Sequence, residues 1–346
     1  MTAPGMLLTI ADYEAAATAG MEPAAFDYYV GGAGDERTIA GNRAAWDAIR
    51  LRPRVLVDVS DRDLSARAFG ERLDHPIIVA PTAAHELAHP DAELASARGA
   101  AAAGALYTLS TISTVPMEEI AAAVPESRRW FQLYVPLDRG ACRDLVDRAV
   151  AAGYRALVVT VDLPLAGNRE RDLRNGFMVP LGVHLPPSQP TDATGLVVLP
   201  TMDWDDLGWI RSICPIPLLA KGVLRADDAA RAVETGCDGV WVSNHGGRQL
   251  DTAVPGAHAL PEIVDAVGSR ALVVVDGGVR RGIDVVKALA LGADLVAVGR
   301  PVLWGLACDG DEGVRRVLDI LREELSLAMA LAGCRSLEEI TGDLLA

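Results

Sequence analysis

No apolar run in the 346 residues approaches the roughly 20 residues that a membrane-spanning helix requires. Runs such as Ala100–Leu106 and Ala288–Leu291 are far shorter. Positive charge is also in the minority, because 32 lysine and arginine residues stand against 47 aspartate and glutamate residues and give a net charge of −15. Phosphate backbones and acidic lipid surfaces attract the opposite sign. We therefore expect neither a membrane partner nor a nucleic-acid partner.

Cysteine is scarce, and its spacing fits no known framework. The five cysteines form an odd set without a CxxC pair, and they are Cys142, Cys214, Cys237, Cys308 and Cys334. Residues 1–14 lack the basic start and the apolar core of a secretory signal. These absences predict free thiols in a reducing, cytoplasmic compartment and no metal site.

The chain does contain enough apolar material for a large core, with 50% hydrophobic and 23% charged residues. A chain of this length buries around three quarters of the surface that it exposes when unfolded. The composition excludes a disordered or collagen-like protein. We expect the chain to fold without disulfides and without a structural metal.

Eight short runs of branched apolar residues recur along the chain and predict strands. They are Pro76–Ala80, Ala105–Leu109, Trp130–Tyr134, Ala156–Val161, Pro217–Lys221, Gly239–Ser243, Ala271–Asp276 and Asp294–Gly299. Segments with apolar residues at three- and four-residue steps alternate with them, including Asp91–Ala103, Arg139–Ala152, Arg225–Gly236 and Gly282–Leu291. Apolar strands that alternate with helices indicate a parallel sheet covered on its outside. Eight such units predict an α/β fold, the (β/α)8 TIM barrel.

An open doubly wound sheet is the structural alternative. Its dinucleotide fingerprint is a GxGxxG turn after the first strand, whereas the chain there reads Pro-Thr-Ala-Ala over residues 81–84. The barrel is therefore favoured, and residues 1–346 are interpreted as one domain. Residues 1–70 form an N-terminal cap with helical patterns around Ile10–Ala19 and Ala24–Gly31, and residues 71–346 form the barrel and C-terminal helices.

A long loop, Gly176–Thr201, follows the fourth predicted strand. Long loops at the carboxyl ends of barrel strands are usually lids or binding loops. This loop lacks a basic amphipathic run, which disfavours docking to a membrane.

Glycines and arginines follow the seventh and eighth strands, in Asp276-Gly277-Gly278-Val279-Arg280 and in Gly299-Arg300. Both motifs lie beside helix N-termini, the usual phosphate location in such barrels. Glycines let backbone N–H groups approach phosphate oxygens, and guanidinium groups bind them in a bidentate fork. Ordinary turns are the alternative, but two such motifs at neighbouring strands favour a phosphate site.

Three further strand ends carry candidate catalytic groups. Lys221 ends the fifth strand and is interpreted as a solvated terminus, a Schiff-base nucleophile or a fixed cation beside a developing anion. His245 follows the sixth strand and shares its loop with Arg248. A neutral histidine can take a proton from a substrate, and Asp162 after the fourth strand is placed to orient it. A structural histidine is the alternative to the favoured catalytic base.

Taken together, the motifs resemble the FMN-dependent α-hydroxy acid oxidase and dehydrogenase family, typified by glycolate oxidase. The matching segments are Asp27–Tyr29, Asn42-Arg43, Arg52–Arg54, Ala80–Thr82, His89-Pro90, Phe131–Tyr134, Thr160–Asp162, Leu219–Gly222, Ser243–Leu250 (SNHGGRQL), Asp276–Gly282 (DGGVRRG), Lys287–Gly292 (KALALG), Val298–Pro301 (VGRP) and Gly333–Ser336 (GCRS). They run in family order from about residue 8 to residue 341. Their joint occurrence is specific, whereas no single segment would be.

The resemblance implies an FMN site. The positions that match the family's flavin contacts are Pro81, Thr82, Ala83, Ser110, Gln132, Thr160, Lys221 and Ser243. Those that match its phosphate contacts are Asp276, Gly277, Gly278, Val279, Arg280, Gly299 and Arg300. The family's lysine lies near flavin N1, so the resemblance favours the fixed-cation role for Lys221.

The resemblance also implies the reaction, the oxidation of an L-2-hydroxy acid to its 2-oxo acid. The substrate carboxylate would be held by Tyr28, Arg169 and Arg248, and Tyr134 would contact the substrate hydroxyl. His245 would be the base, with Asp162 as its partner. Electrons reach the flavin either as a hydride or through a carbanion, and both routes stay open.

One departure from the family pattern bears on the substrate. Ile112 stands where glycolate oxidase carries a tryptophan that packs on its small substrate, which predicts a bulkier acid with an aromatic or branched side chain. Pro136 and Asn168 also differ from common family residues, at the edges of the pocket.

Several alternatives remain for the reaction and its partners. O2 is the expected electron acceptor, with H2O2 as product; a dehydrogenase that uses a quinone or carrier and a decarboxylating monooxygenase are alternatives. A non-catalytic FMN or phosphate binder and a Schiff-base lyase that uses Lys221 belong to different classes. The resemblance implies a homotetramer.

Overall fold

The structure is a computed structural model and describes residues 7–180, 182–185 and 201–346. Of the predicted loop Gly176–Thr201, residues 181 and 186–200 lie outside the described residues. The N-terminal part forms three helices and an antiparallel hairpin. They are α1 (Ile10–Gly20), α2 (Pro23–Val30), α3 (Arg37–Ala48), β1 (Ala66–Ala68) and β2 (Glu71–Leu73).

The sequence predicts α1 and α2 but misses α3. A capping box at Thr9 starts α1, and a proline at the first position starts α2. In α3 the buried face consists of Thr38, Asn42, Ala45 and Trp46. Two of these four are polar, so a search for apolar periodicity does not recognise the helix.

The eight predicted strands form a closed parallel barrel, which confirms the (β/α)8 fold. In chain order they are β3 (Ile77–Val79), β4 (Tyr107–Ser110), β5 (Arg129–Leu133), β6 (Leu157–Thr160), β7 (Leu218–Val223), β8 (Gly239–Val242), β9 (Leu272–Val275) and β10 (Leu295–Val298). Each strand pairs with its neighbours in sequence, and β10 closes the ring by pairing with both β9 and β3.

Alternating side chains divide the barrel into two apolar layers. One layer points outward against the helices and includes Ile77 and Phe131. The other fills the interior and includes Trp130 and Trp241. The hairpin contributes Ala66, Ala68 and Leu73 to the inner layer. Because these side chains close the interior at the amino ends of the strands, the carboxyl ends remain for the site.

Helices cover the outside of the barrel. They are α4 (Ala92–Ala102), α5 (Met117–Ala123), α6 (Arg139–Ala151), α7 (Glu170–Asn175), α8 (Trp204–Ile213), α9 (Ala226–Glu234), α10 (Gly256–Val267), α11 (Gly282–Ala290) and α12 (Arg300–Ala332). The long α12 is interrupted at Asp309 and Gly310, where the backbone leaves the helical conformation. Within the described ranges, none of the helices combines the length and the apolar character needed to cross a bilayer.

Candidate active site

The carboxyl ends of the strands surround a cavity of about 930 Å³, part of it open to solvent. Most residues predicted for the site line it: Tyr28, Pro81, Thr82, Ala83, Ser110, Ile112, Tyr134, Arg169, Lys221, His245, Arg248, Asp276, Gly277, Gly278, Val279, Arg280, Gly299 and Arg300. The remaining four are Gln132, Thr160, Asp162 and Ser243. Three of them, Gln132, Asp162 and Ser243, hydrogen-bond a residue of the cavity wall, and Thr160 accepts a hydrogen bond from Gln132. One cavity therefore collects the whole predicted set.

His245 lies at the centre of a short chain of polar groups. Its Nδ1 is 2.9 Å from Asp162 Oδ1, and its Nε2 is 3.3 Å from the Tyr134 hydroxyl oxygen. His245 adopts a left-handed backbone conformation, with φ of 58°. Its N–H donates to Ser243 Oγ at 3.0 Å, which fixes the turn after β8. The strained turn presents Nε2 toward Tyr134 and leaves Nδ1 to Asp162.

The charge states of this pair suit a base and its partner. Burial lowers the pKa of His245; Asp162 opposes that shift, while the Lys221 charge adds to it. Burial by itself would raise the pKa of Asp162, but the charge and the hydrogen bond of His245 lower it, together with Lys221. At neutral pH His245 is therefore uncharged and Asp162 is ionised, so Nε2 is available to accept a proton.

Replacing Asp162 by asparagine removes the group that raises the pKa of His245. The pKa of His245 in the variant is expected to fall further, so the acidic limb of kcat/KM moves to lower pH. The plateau rate falls by about 10²-fold or more, because the imidazolium loses its counter-ion. A pH profile of kcat/KM for Asp162→Asn measures both effects. An acidic limb that moves to higher pH would contradict the assignment of Asp162 as the partner of His245.

Asp162 reaches His245 only because residue 222 is a glycine. Gly222 interrupts the regular pairing of β7 with β8 and has φ of 110°. A Cβ at this position would lie 2.3 Å from Asp162 Cγ. Both the backbone conformation and the space therefore require glycine. Gly222 belongs to a matching motif, but its role is not visible in the sequence, because the contact with Asp162 is made in the folded barrel.

A second group of side chains brings two arginines together in the cavity wall, an arrangement that suits an anion. Arg169 and Tyr28 are buried, and the Arg248 guanidinium carbon lies 4.8 Å from the centre of the Tyr28 ring. Burial and the neighbouring Arg248 charge lower the pKa of Arg169 to about 10. Two like charges held together in a wall of low polarity are stabilised by a bound anion.

The hydrogen bonds of the two arginines differ. Arg248 Nη1 donates to the backbone oxygens of Tyr28 and Gly31, at 2.5 and 2.8 Å. Its buried Nη2 has no hydrogen-bond partner within the described part of the chain and lies 3.9 Å from Asp172 Oδ2. Arg169 Nε makes a long hydrogen bond of 3.4 Å to Arg248 O. Arg248 thus also holds α2 in place, whereas Arg169 has the smaller structural role.

Lys221 is buried among polar groups at the end of β7. Its Nζ donates to Ser243 Oγ at 3.4 Å and lies 3.9 Å from Asp276 Oδ2. Asp276 also accepts hydrogen bonds from Ser243 Oγ at 2.7 Å and from Trp241 Nε1 at 2.9 Å. Lys221 is therefore a cation held in place inside the cavity wall. The role of Trp241 was missed, because in the sequence it is an apolar strand residue.

Gln132 connects three predicted cofactor positions on neighbouring strands. Its Oε1 accepts from Ser110 Oγ at 3.1 Å, and its Nε2 donates to Thr160 Oγ1 at 3.0 Å. The Thr111 hydroxyl, which the sequence analysis missed, donates to Gln132 O at 2.6 Å and accepts from the Tyr134 N–H at 3.0 Å. This network fixes the cavity wall beside Tyr134.

At the other end of the cavity lie two arginines, Arg280 and Arg300, which differ in their hydrogen bonds. Burial lowers the pKa of Arg280 to about 10, and burial together with Arg248 and Arg280 lowers that of Arg300 to about 9. The Arg300 side chain donates to the backbone oxygens of Tyr29, Gly246 and Gly31 at 2.8 to 2.9 Å. Its guanidinium therefore braces the cap and the His245 turn, and a role of Arg300 at a phosphate stays a prediction.

The glycines of the predicted phosphate motif have a packing role as well. Gly278 has φ of 81°, and a Cβ there would lie 2.5 Å from Asn42 O in α3. Asn42 and Asn244 exchange two side-chain hydrogen bonds, at 2.9 and 2.6 Å. Through these two hydrogen bonds, α3 of the N-terminal cap holds Asn244, the residue next to His245. Asn42 belongs to a matching motif, but this contact could not be predicted, because it joins residues about 200 positions apart.

The cavity fits the FMN that the resemblance implies. Arg280 and the N-terminal turn of α12 suit a phosphate, because a positively charged side chain lies there beside N–H groups that have no partner within the helix. Lys221, Ser110 and Thr82 offer polar contacts along the wall. Within the described residues no cluster of histidine, cysteine or carboxylate side chains could hold a metal.

Comparison with known proteins supports this interpretation. The model of the FMN-dependent dehydrogenase family matches residues 17–346. L-Lactate oxidase of Nostoc sp. is 50% identical, with 98% of this chain and 98% of the relative covered. Glycolate oxidase 3 of Arabidopsis thaliana is 46% identical, with 97% and 95% covered. A crystal structure of mandelate oxidase superposes with a TM-score of 0.92 at 45% identity, covering 99% of this chain and 98% of that chain.

The family match extends over almost the whole chain and agrees with the cavity built from the sequence motifs. The predicted flavoenzyme class, the FMN cofactor and the oxidation of a 2-hydroxy acid to a 2-oxo acid are confirmed at this level. The chain belongs to the FMN-dependent dehydrogenase family.

Proposed function

We propose that the chain oxidises an (S)-2-hydroxy acid bulkier than glycolate to the 2-oxo acid and passes the electrons to O2. One observation carries the proposal: a neutral His245 paired with Asp162 faces the same cavity as the two adjacent arginines, Arg169 and Arg248. A carboxylate bound to the arginines brings its 2-hydroxy group within the cavity that holds the base. A protein that only binds phosphate needs the cationic end of the cavity and none of these groups.

In the proposed reaction, different residues bind the substrate, remove its proton and donate a hydrogen bond to its oxygen. Arg169, Arg248 and the Tyr28 hydroxyl bind and orient the substrate carboxylate. His245 Nε2 removes a proton from the substrate, and ionised Asp162 stabilises the imidazolium that forms. Tyr134 has a raised pKa because it is buried, so its hydroxyl stays protonated and donates to the substrate oxygen.

FMN, when bound, supplies the two-electron acceptor. The turn Pro81–Ala83 and the polar chain Ser110–Gln132–Thr160 are proposed to hold its ring system. Arg280 and the backbone of Gly299 and Arg300 are proposed to hold its phosphate. Lys221 and Ser243 provide donors, and the Lys221 charge favours negative charge on the adjacent ring. A Schiff base at Lys221 is disfavoured, because its Nζ lies against Ser243 and Asp276.

Ile112 supports the larger substrate. Its side chain is buried in the cavity wall, and a Cβ on Gly182 would lie 2.5 Å from Ile112 Cα, so the backbone there is closely packed. The size of the side chain therefore sets the space beside Tyr134. A mandelate oxidase is among the solved structures similar to this chain, which agrees with an aromatic substrate.

Replacing Ile112 by tryptophan is expected to lower the specificity constant for mandelate or 2-hydroxyisocaproate by about tenfold or more relative to glycolate. The indole fills the space that the larger side chain requires, whereas Ile112→Val is the matched control and retains the preference. Steady-state kinetics with glycolate, lactate, 2-hydroxyisocaproate and mandelate measure the change. A wild-type protein with its highest specificity constant for glycolate contradicts the proposed substrate class.

The electron acceptor is tested by stoichiometry. Relatives include oxidases for lactate, glycolate and mandelate, so we expect one H2O2 for each 2-oxo acid formed. A dehydrogenase that uses a quinone or carrier would give 2-oxo acid without peroxide under the same turnover. A decarboxylating monooxygenase would give CO2 and a shortened acid. Either result overturns the oxidase proposal while leaving the flavin chemistry in place.

We also propose that the chain acts as a single-domain cytoplasmic homotetramer. An exposed apolar face supports association, since Ile283, Leu327 and Leu331 are exposed beside Leu51 and Pro53. Light scattering of the wild type and of Leu327→Glu tests this. A wild-type monomer, or a Leu327→Glu variant with unchanged mass, removes this face as the interface.

A further inference from the structure

A buried polar chain leads away from the cavity behind Thr82. Thr82 Oγ1 lies 2.6 Å from His85 Nε2, and His85 Nδ1 lies 2.8 Å from Ser96 Oγ in α4. His85 and Ser96 are fully buried, and Thr82 lines the cavity. The chain therefore connects the cavity wall with a covering helix through one imidazole ring.

The backbone around His85 is held from several sides. The His85 N–H donates to Glu93 Oε1 at 3.0 Å, and Glu93 Oε2 accepts from the Thr114 hydroxyl at 2.7 Å. Ala84 has a left-handed conformation with φ of 54°, and its carbonyl accepts from the Tyr29 hydroxyl at 2.5 Å. A non-glycine residue in this conformation is strained and persists where the surroundings enforce it. The turn therefore has a fixed conformation, which holds the Thr82 and His85 side chains in position.

His85 can reverse the direction of this chain. Burial lowers the pKa of His85, with Glu93 opposing the shift, so the ring is neutral and has one donor and one acceptor. With the proton on Nδ1, Nε2 accepts the hydrogen of the Thr82 hydroxyl, and the Thr82 oxygen can then only accept a further hydrogen bond. With the proton on Nε2, the ring donates to Thr82, whose own hydrogen can then point into the cavity.

We propose that His85 is a positioning residue that fixes the Thr82 hydroxyl and, through it, sets the reduction potential of bound FMN. The inference rests on the proposed place of Thr82 at the cofactor. Reduction changes acceptor nitrogens of a flavin into N–H donors, so a facing hydroxyl must present opposite polarities to the two states. The chain Thr82–His85–Ser96 can supply either polarity, because each member donates or accepts.

The test is the reduction potential of the bound flavin in a double-mutant cycle. His85→Leu and Thr82→Val are each expected to change the ratio of affinities for oxidised and reduced FMN, in the same direction. The change for Thr82→Val is about tenfold, equivalent to about 30 mV for a two-electron couple. The double variant matches Thr82→Val alone, because His85 acts through Thr82. His85→Gln keeps one donor and one acceptor and restores most of the wild-type potential.

His75 provides a matched control. It is also a buried histidine with a lowered pKa, but it lies before β3 and bonds to Ala103 O at 3.0 Å, away from the cavity. His75→Leu is expected to leave the potential unchanged. If His85→Leu does not fold, Ser96→Ala removes only a hydroxyl and should shift the potential in the same direction, with no effect in the Thr82→Val background.

Two results overturn the inference. Shifts of His85→Leu and Thr82→Val that add in the double variant show that His85 acts independently of Thr82. An unchanged potential in Thr82→Val removes Thr82 from the cofactor contacts. Because these measurements use bound FMN without substrate, they leave the proposed oxidation of a 2-hydroxy acid intact, and that proposal fails only if substrate does not reduce the flavin.

Discussion

Replacing His245 by glutamine is expected to lower the rate of flavin reduction by substrate about 10³-fold while FMN stays bound. General base catalysis contributes about 10² to 10⁴ in rate, and glutamine cannot accept the proton at neutral pH. Arg280, Lys221 and the turn at Thr82 are unaltered in the variant, so cofactor binding should be preserved. Anaerobic stopped-flow measurement of flavin bleaching, with FMN content determined on the same sample, gives both values.

Tyr134→Phe is the matched control for this variant. It removes one hydroxyl next to His245 Nε2 and retains the base, so we expect a loss smaller than that of His245→Gln. Unchanged bleaching in His245→Gln would remove His245 from the role of base. Loss of FMN from that variant would show that His245 supports the cofactor as well, and the rate would then be measured after reconstitution with excess FMN.

Replacing Arg169 by methionine is expected to raise KM for the 2-hydroxy acid by about 10²-fold or more. A buried charge pair that loses one partner costs about 2 to 5 kcal/mol, because the other charge is left uncompensated. Methionine keeps an apolar stem at this buried position, so the variant removes the charge without leaving a large void. Arg169 is the better choice of the two arginines, since Arg248 also holds the backbone of α2.

Arg171 offers a control two positions along the same segment. It forms a two-point ion pair with Glu36, with distances of 2.7 and 2.9 Å, and bonds to Asp27 at 3.0 Å, outside the cavity lining. Arg171→Met should lower stability by at most about 1 kcal/mol and leave KM unchanged. In Arg169→Met, the neutral amide of the same substrate should lose less affinity than the acid. Equal losses for acid and amide would contradict a carboxylate contact.

The fold was predictable because its signal is local. Each barrel strand is a short apolar run followed by a polar group, so the strand ends and the residues on them follow from the sequence. His245, Lys221 and Asp276 could be assigned to one end of the barrel for this reason. The closed parallel barrel then brings together groups that are far apart in the chain, such as Asp162 and His245.

The unpredicted features of the site depend on contacts between distant segments. Asn42 pairs with Asn244 across about 200 residues, and Gly222 is required by the position of Asp162. The three carbonyl contacts of Arg300 come from the cap and from the His245 turn. An arginine beside a glycine in sequence is compatible with either phosphate binding or bracing. Only the folded arrangement shows the bracing contacts.

The net charge of −15 and the two anionic ligands are reconciled by the same arrangement. Arg169, Arg248 and Arg280 line one cavity together with Lys221, so a local positive site exists within an acidic protein. The net charge of the whole protein does not attract an anionic substrate, so binding depends on short-range contacts with these side chains.

Anaerobic mixing of the FMN-loaded protein with a panel of 2-hydroxy acids tests the central claim most directly. Bleaching of the flavin absorbance is expected with (S)-2-hydroxy acids, faster with mandelate or 2-hydroxyisocaproate than with glycolate, and the matching 2-oxo acid should appear in equal amount. A protein that binds FMN but is bleached by none of these acids would contradict the proposed chemistry of His245, Arg169 and Arg248.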